Sequence, residues 1–353
     1  MHPGIITFAL ALTISFSLTI PVRQLALRLG IVDLPGPRKV HRSPMPLLGG
    51  FAIYCGALPA AVLSLDGPAG KQALGIVIGA TLLLIVGTLD DRGLLHHQVK
   101  LLVAMPAAAV LLIASGIQSH LASALLRGPA GEVLDFAVTV LWVVGITAAF
   151  SILDHMDGLA GGIAAIASFF FAILAILDGQ LLVGILGAAM FGACLGFLRW
   201  NFNPAKIFMG DGGAMFLGFM MATLGLKLRP QGLPITTGWL IPVLVLAVPI
   251  FDTTLVSVSR SRRGLIPFLA PGADHSAHRL ANIGFKQRDA VLVLYGAAII
   301  SGVVALLVRR FPMEKPLIPV VLISFFVLLG VAVFEHLPYE RQNTPKRTSQ
   351  PSI

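Results

Sequence analysis

The sequence predicts an all-α polytopic membrane protein, and three observations lead to this prediction. Hydrophobic residues make up 56% of the 353 residues and charged residues only 12%, whereas a soluble domain carries about a quarter charged residues. Apolar windows long enough to cross the roughly 30 Å hydrocarbon core recur along most of the chain. Strands of alternating polarity are absent, and lipid requires every backbone polar group to be paired, so helices are the expected spanning elements.

Eleven apolar windows predict about 11 transmembrane helices. They are residues 4–20, 48–65, 73–89, 100–115, 134–151, 159–177, 180–198, 212–228, 235–257, 291–308 and 317–334. The first window lacks the basic start and small-residue cleavage site of a signal peptide, so it is predicted to remain as a membrane helix. Residues 1–334 are therefore predicted to form one integral membrane domain. Residues 335–353 are polar and are predicted to form a disordered cytoplasmic tail.

The positions of Lys and Arg predict the orientation of these helices. With the N-terminus outside, 18 of the 25 basic residues fall in the inner loops and the C-terminal tail. Positive charge is retained on the cytoplasmic side of membrane proteins. The chain is therefore expected to have its N-terminus outside and its C-terminus in the cytoplasm.

Charge and cysteine content exclude other classes of protein. The net charge is +9, but long apolar runs separate the basic residues, so no nucleic-acid-binding face is expected. Cys55 and Cys194 both lie inside apolar stretches. Two such residues do not predict a disulfide framework or a zinc site, so the lipid bilayer is the predicted environment.

Aspartate residues collect on the predicted inner face. Nine of the twelve fall in or beside the inner segments: Asp33, Asp90, Asp91, Asp154, Asp157, Asp211, Asp252, Asp274 and Asp289. Any one of them could be a helix cap. Asp90 and Asp91, however, end a predicted helix, where the helix dipole disfavours negative charge. A bound cation would relieve this penalty and the mutual repulsion of the two carboxylates.

Basic and glycine-rich segments accompany these acids on the same face. They are Arg38–Arg42, Gly210–Gly213 and Asp274–Arg279. Mg²⁺ prefers carboxylate oxygens and shares its coordination with substrate phosphates. Arg and His side chains bind phosphate oxygens, and glycine permits close backbone approach. The combination predicts a diphosphate-binding site.

Five sequence blocks together resemble a known enzyme superfamily. They are residues 33–50, 87–92, 154–159, 201–213 and 274–280. In order and spacing they resemble the polyprenyl-phosphate N-acetylhexosamine-1-phosphate transferase superfamily, glycosyltransferase family 4. The match is most similar to its bacterial undecaprenyl-phosphate GlcNAc-1-phosphate transferase branch.

This resemblance implies a reaction and a location. A sugar 1-phosphate, GlcNAc-1-phosphate first among the candidates, would pass from a UDP-sugar to undecaprenyl phosphate. UMP would be released, and lipid-linked cell-envelope glycan synthesis would begin. Mg²⁺ is the implied cofactor, with Mn²⁺ as an alternative. The implied location is the bacterial cytoplasmic membrane, with the active site on the cytoplasmic face, and the resemblance leaves a homodimer open.

The same resemblance implies roles for individual residues. Asp211 would be the main metal ligand, and Asp90 with Asp91 would form the catalytic pair and help to hold the metal. Lys100 would neutralise diphosphate charge, and Phe208 would stack on the uracil ring. The implied substrate-binding residues are Lys39, His41, Lys100, Asp154, Asp157, Asn201, Phe208, His275, His278 and Arg279.

The sequence also departs from the family pattern. Ala148 and Ser151 stand where relatives commonly have Asn, and His155 stands in place of a usual Gly. Ala277 occupies the position of a second adjacent His in many relatives. Asp252 matches a family acidic position, but an intramembrane carboxylate can be structural, so it is placed outside the predicted site.

Two alternative functions remain at this point. An ion-coupled membrane transporter also carries intramembrane acids, but its carboxylates are expected near the bilayer midplane and within repeated segments. Within the family, a phospho-MurNAc-pentapeptide transferase is the alternative. The block Arg38–His41 favours the GlcNAc-type branch.

Overall fold

The computed structural model describes residues 3–35, 43–63, 70–95, 97–266, 272–310 and 327–338. Within these residues the fold is a bundle of helices with one short antiparallel ribbon, in which Val32 of β1 (Val32–Asp33) pairs with Pro46 of β2 (Met45–Pro46). The long helices are α1 (Pro3–Arg28), α2 (Gly49–Leu63), α3 (Gly70–Asp91), α7 (Pro129–Leu153), α8 (Leu159–Leu177), α9 (Leu181–Asn201), α10 (Gly210–Lys227), α11 (Ile235–Val245), α12 (Ala247–Arg262) and α14 (Gln287–Arg310). The shorter elements are α4 (His97–Val99), a π-helical turn (Lys100–Ala104), α5 (Met105–Ala114), α6 (Leu121–Leu125) and α13 (Ser276–Asn282).

The predicted class is confirmed as an all-α polytopic membrane protein. Six helices are long and apolar enough to cross a membrane, or seven if the bent pair α11 and α12 is one span. Ten of the eleven predicted windows coincide with helices. Most of the window 317–334 lies outside the described residues. Its described part, residues 327–334, belongs to a helix that spans residues 327–335. The number of eleven spans and the orientation remain predictions.

One predicted span differs from the structure. The window 235–257 is broken at Leu246, where α11 and α12 meet at an angle of 78°. Pro249 lies in the first turn of α12. Proline has no N–H for the hydrogen bond four residues back, so a straight helix through this point would lose a backbone bond. The break directs α12, with Asp252 on it, along a different line from α11.

Helix α10 lies at the centre of the bundle. Nearly all its residues are buried, and the exceptions are Asp211 in its first turn and Lys227 in its last. It packs against α3, α7, α2 and α8. By contrast, α1 and α14 expose large apolar side chains, among them Phe16 and Ile300. Such exposed apolar faces are expected where a helix contacts lipid.

Glycines allow α2 and α3 to touch the start of α10 backbone to backbone. A Cβ atom on Gly50 would lie 2.3 Å from the Cα of Gly213, and one on Gly87 would lie 2.5 Å from the Cα of Gly212. Small residues permit this close approach between membrane helices. The contact at Gly87 brings the end of α3 beside the first turn of α10.

We expect the substitution Gly87→Ala to destabilise the protein and to impair its activity. The added methyl group would meet the backbone of Gly212, and overpacking of this kind costs about 1–3 kcal/mol. Gly145→Ala is the matched control, because Gly145 is also inside a helix but has no atom within 4 Å of the added carbon. Thermal unfolding in detergent should show a lower melting temperature for Gly87→Ala alone. Equal melting temperatures for the two variants would contradict the packing argument.

Candidate active site

An acidic centre lies where α3 ends and α10 begins. Lys100 donates a 2.7 Å hydrogen bond from Nζ to Asp90 Oδ2 and a second, shorter one to Asp211 Oδ2. All three side chains are largely buried. Asp90, Lys100 and Asp211, which the sequence placed in one site, are therefore in direct contact. We call these three residues the acidic centre.

The π-helical turn places Lys100 in this centre. Residues Lys100–Ala104 follow the short helix α4 and continue into α5 without a break. A π-helical turn is rare and often occurs at functional sites. Here the irregular turn begins at the residue that bridges Asp90 and Asp211.

Asp91 binds the backbone at the start of α10. Its carboxylate accepts hydrogen bonds from the backbone N–H of Asp211 at 2.8 Å and of Gly212 at 3.4 Å. The first N–H groups of a helix have no partner within the helix, and a negative charge at that end is favoured by the helix dipole. Asp91 therefore caps α10 and positions Asp211, and its place in the catalytic pair and among the metal ligands stays a prediction.

Asp154 lies in the loop between α7 and α8 and belongs to the same electrostatic site. Burial and the negative charges of Asp211, Asp91 and Asp157 raise the pKa of Asp154 to about 8. A raised carboxyl pKa reports unfavourable surroundings for negative charge. The effect of three other carboxylates on this pKa shows that Asp154 lies near Asp91, Asp157 and Asp211.

Asn201 and Asp157 hold two loops together. The Asn201 side chain accepts a hydrogen bond from the Gly158 N–H at 3.1 Å and donates one to the Ile207 carbonyl at 3.0 Å. The Asp157 carboxylate accepts bonds from the Asn203 side chain and from the Ala205 N–H, at 3.1 and 2.9 Å.

These internal hydrogen bonds differ from the predicted direct substrate contacts. A buried amide or carboxylate that gives up such partners loses about 1–3 kcal/mol per unsatisfied group. We therefore assign Asn201 and Asp157 to shaping the loop 202–209 in this structure. The sequence motif correctly indicated that both residues belong to this region.

The backbone of Phe208 is hydrogen-bonded to β2 and to the first residue of α2. Its N–H donates to the Pro46 carbonyl at 2.8 Å, and its carbonyl accepts from the Gly49 N–H at 3.0 Å. The side chain remains partly exposed. A fixed backbone with an accessible ring is compatible with the predicted stacking on a base, which stays a prediction.

Three histidines form a stacked group next to the 154–158 loop. The rings of His275 and His278 lie 4.1 and 4.7 Å from the ring of His155, both at 25° to it. We call His155, His275 and His278 the histidine cluster. The sequence had indicated His275 and His278 but had treated His155 only as a departure from the family pattern. The juxtaposition was not readable from the chain, because α8 to α12 separate His155 from the other two.

Two imidazoles of the histidine cluster, those of His155 and His278, are held neutral. Burial, together with the nearby His275, lowers the pKa of His278 to about 4. Burial and the same neighbour lower the pKa of His155 well below its usual value. Because the folded protein lowers both pKa values, the two rings take up a proton only at acidic pH. Their protonation there would destabilise the folded state.

Arg279 lies outside this cluster in a buried network. Its side chain is fully buried; Nε donates to the Asp274 carbonyl, Nη1 to the Phe334 carbonyl, and Nη2 to Ser259 Oγ and Glu335 Oε2, at 2.7 to 3.3 Å. In this structure Arg279 has a structural role, and its predicted contact with substrate stays a prediction. A buried guanidinium is costly unless paired in this way.

Asp274 is the second member of this network. Burial alone would raise the pKa of Asp274, but hydrogen bonds from Arg260 and Arg263 lower this pKa to about 2. The network also reaches the C-terminal residues, since Asn282 donates to the Pro338 carbonyl at 2.9 Å. Residues 335–338 are therefore packed against the bundle, four residues beyond the boundary predicted for the disordered tail.

Lys39 and His41, which were predicted to line the substrate pocket, lie outside the described residues. Two groups of side chains within the described residues have the chemistry of a metal site. The first is the carboxylate pair of Asp90 and Asp211. The second is the set His155, Asp252 and His275, whose ligand atoms all lie within 4.8 Å of one another.

Comparison with known proteins points to one family. Residues 73–229 match the family described as Glycosyl transferase family 4. These residues include most of α3, the acidic centre, the 154–158 loop and α10. The matched segment thus contains most of the site assembled above.

Individual relatives match over a larger part of the chain. A Bacillus subtilis (strain 168) protein, described as a probable undecaprenyl-phosphate N-acetylglucosaminyl 1-phosphate transferase, is 33% identical over 94% of this chain and 89% of its own. A decaprenyl-phosphate N-acetylglucosaminephosphotransferase of Mycolicibacterium smegmatis is 34% identical over 78% of this chain and 74% of its own. The Salmonella typhi undecaprenyl-phosphate alpha-N-acetylglucosaminyl 1-phosphate transferase is 30% identical over 86% and 84%.

Proposed function

Because the chain belongs to glycosyl transferase family 4, we propose that it transfers GlcNAc 1-phosphate from UDP-GlcNAc to undecaprenyl phosphate. A lipid-phosphate oxygen would form a bond to the sugar-bearing phosphorus as the bond to UMP breaks. The products would be UMP and a lipid-linked diphosphate sugar. The names of the three relatives support the sugar and the class of lipid. The contact of Lys100 with both Asp90 and Asp211 is the observation in the fold that carries the proposal.

The acidic centre has the donor set that Mg²⁺ requires. Mg²⁺ in phosphate-handling sites is commonly held by one or two carboxylates, with substrate phosphates and waters completing its shell. Asp90 and Asp211 would hold it, and the nearby carboxyl groups of Asp91 and Asp154 add acidic side chains around the same place. When bound, the ion would neutralise the charge that develops on the transferred phosphoryl group.

The protein's own side chains would perform the remaining tasks. Lys100 would bring positive charge to the diphosphate, which lowers the repulsion between the two anionic substrates. Asp91 would keep Asp211 in place through its bonds to the α10 backbone. Phe208, at the clamped edge of the 202–209 loop, would offer its ring to uracil.

The position of the site suits a lipid acceptor. Asp90, Asp154 and Asp211 lie at the ends of apolar helices, where the headgroup of a membrane lipid also lies. Lys and Arg are concentrated in the loops predicted to lie at this end of the helices. The positive-inside rule therefore favours the cytoplasmic side of the membrane for the site. We propose the bacterial inner membrane as the location, with UDP-GlcNAc entering from the cytoplasm.

A donor comparison tests the proposed reaction. Purified protein with undecaprenyl phosphate and Mg²⁺ is expected to release UMP from UDP-GlcNAc and to form a lipid-linked product. UDP-MurNAc-pentapeptide should react at least about a hundredfold more slowly, because its peptide adds groups for which a GlcNAc site has no partners. A matched reaction without divalent cation is the control. Product from UDP-MurNAc-pentapeptide alone would overturn the assignment to the GlcNAc branch.

A further inference from the structure

The histidine cluster contains two buried ring nitrogens to which the reaction described above assigns no step. His155 Nε2 and His278 Nδ1 are both buried, and neither has a hydrogen-bond partner. An unpaired buried polar atom costs about 1–3 kcal/mol. Two such atoms in one cluster indicate that a binding partner completes it.

The other nitrogen of His155 shows what kind of partner is missing. His155 Nδ1 lies 3.1 Å from the Ile152 carbonyl oxygen. Because a carbonyl oxygen can only accept, Nδ1 carries the proton and Nε2 carries a lone pair. An imidazole whose Nδ1–H is held by a backbone carbonyl is the arrangement typical of a metal-ligating histidine.

Asp252 and His275 supply two more donor atoms at the same place. His275 Nδ1 lies 2.8 Å from Asp252 Oδ2. The other carboxylate oxygen accepts hydrogen bonds from the Ser276 N–H at 2.7 Å and from its hydroxyl at 2.6 Å. These bonds fix the orientation of the carboxylate, as hydrogen bonds to a metal-binding carboxylate commonly do.

We propose that His155, Asp252 and His275 bind a transition-metal ion, with Zn²⁺ as the best match to two imidazoles and a carboxylate. The three ligand atoms lie within 4.8 Å of one another. The ion would replace the proton between His275 and Asp252, and it would draw the three donors to separations of about 3.3 Å, as a tetrahedral shell requires. His278, whose ring lies 4.7 Å from that of His155, would offer a fourth ligand.

This metal site is chemically distinct from the acidic centre. Imidazole nitrogen suits Zn²⁺ and its neighbours in the transition series, whereas carboxylate and phosphate oxygens suit Mg²⁺. The bound ion would join the 154–158 loop, α12 and the start of α13. It would therefore hold His275 and His278 in a fixed position beside Asp154.

Metal analysis of the purified full chain tests this inference without an activity assay. The tag-free protein is dialysed with a small excess of ZnCl₂ in Mg²⁺ buffer and then freed of loose metal. We expect about one Zn²⁺ per chain for the wild type and at least a tenfold lower content for His155→Phe. Phenylalanine keeps a ring in the stack but has no ligand atom. Co²⁺ in place of Zn²⁺ should give the visible absorption bands of a tetrahedral site in the wild type alone.

A matched variant and a stability measurement make the outcome decisive. His120→Phe is the control, because His120 precedes α6 and lies outside the cluster, and it should bind Zn²⁺ as the wild type does. Zn²⁺ should raise the melting temperature of the wild type and of His120→Phe, but not that of His155→Phe. Wild-type protein with less than about a tenth of an equivalent of Zn²⁺, or His155→Phe with undiminished Zn²⁺, would overturn the inference. If His155→Phe does not fold, His275→Phe takes its place in the same comparison.

Discussion

The substitution Asp211→Asn is expected to abolish turnover while the protein still inserts and folds. Asn has nearly the same shape as Asp, but it removes the negative charge that contacts Lys100 and that would hold Mg²⁺. The backbone N–H of residue 211 would still be capped by Asp91. Loss of electrostatic stabilisation at a reaction centre commonly costs a factor of about 10²–10³ in rate, and loss of a metal ligand adds to it. UMP release from UDP-GlcNAc should therefore fall by at least about a hundredfold.

Asp289→Asn is the matched control for this experiment. Asp289 lies in the first turn of α14, with its side chain exposed, and its neutralisation should leave the rate within about twofold of the wild type, as for most surface changes. Comparable melting temperatures for both variants would show that the fold is intact. A folded Asp211→Asn protein that works at the wild-type rate would refute the assigned role.

The substitution Lys100→Met is expected to reduce the rate by about a hundredfold. The ammonium group is the cation that joins Asp90 and Asp211, and methionine keeps the length and apolar stem of the side chain without the charge. The two carboxylates would then repel each other and any incoming diphosphate. Lys100→Arg restores the charge but not the compact shape, so we expect it to recover only part of the rate.

Lys71→Met provides the comparison for the lysine variants. Lys71 is an exposed residue at the opposite end of α3 from Asp90. Its replacement should leave unchanged both the rate of UMP release and the dependence of that rate on salt concentration. If Lys100→Met and Lys71→Met gave equal rates, Lys100 would be only an interfacial anchor.

Sequence patterns predicted the membrane helices well because hydropathy is a local property. A stretch such as Leu159–Leu177 has few alternatives to a buried helix, whatever the rest of the chain does. The exception at Leu246 also has a local cause, since Pro249 interrupts an otherwise continuous apolar window. A proline in an apolar run was the available signal for that bend.

Individual side-chain roles were predicted less well because they depend on distant partners. Asp90 and Asp211 were expected in one site and are joined by Lys100. Asp91, one residue along, faces the α10 backbone, because successive helix residues point about 100° apart. Arg279, for which a substrate contact stays a prediction, is enclosed by residues of α12 and the C-terminal segment.

The amino-acid sequence alone determined that this chain is a helical membrane protein with its acids and bases gathered toward one face. It also determined the family, since the order and spacing of the five blocks are properties of the chain itself. The tertiary structure decided which of those residues touch. The close glycine contacts between α3 and α10, and the meeting of His155 with His275, join parts of the chain more than 100 residues apart. Such contacts arise from how helices pack, and helix packing depends on side chains of the whole bundle at once.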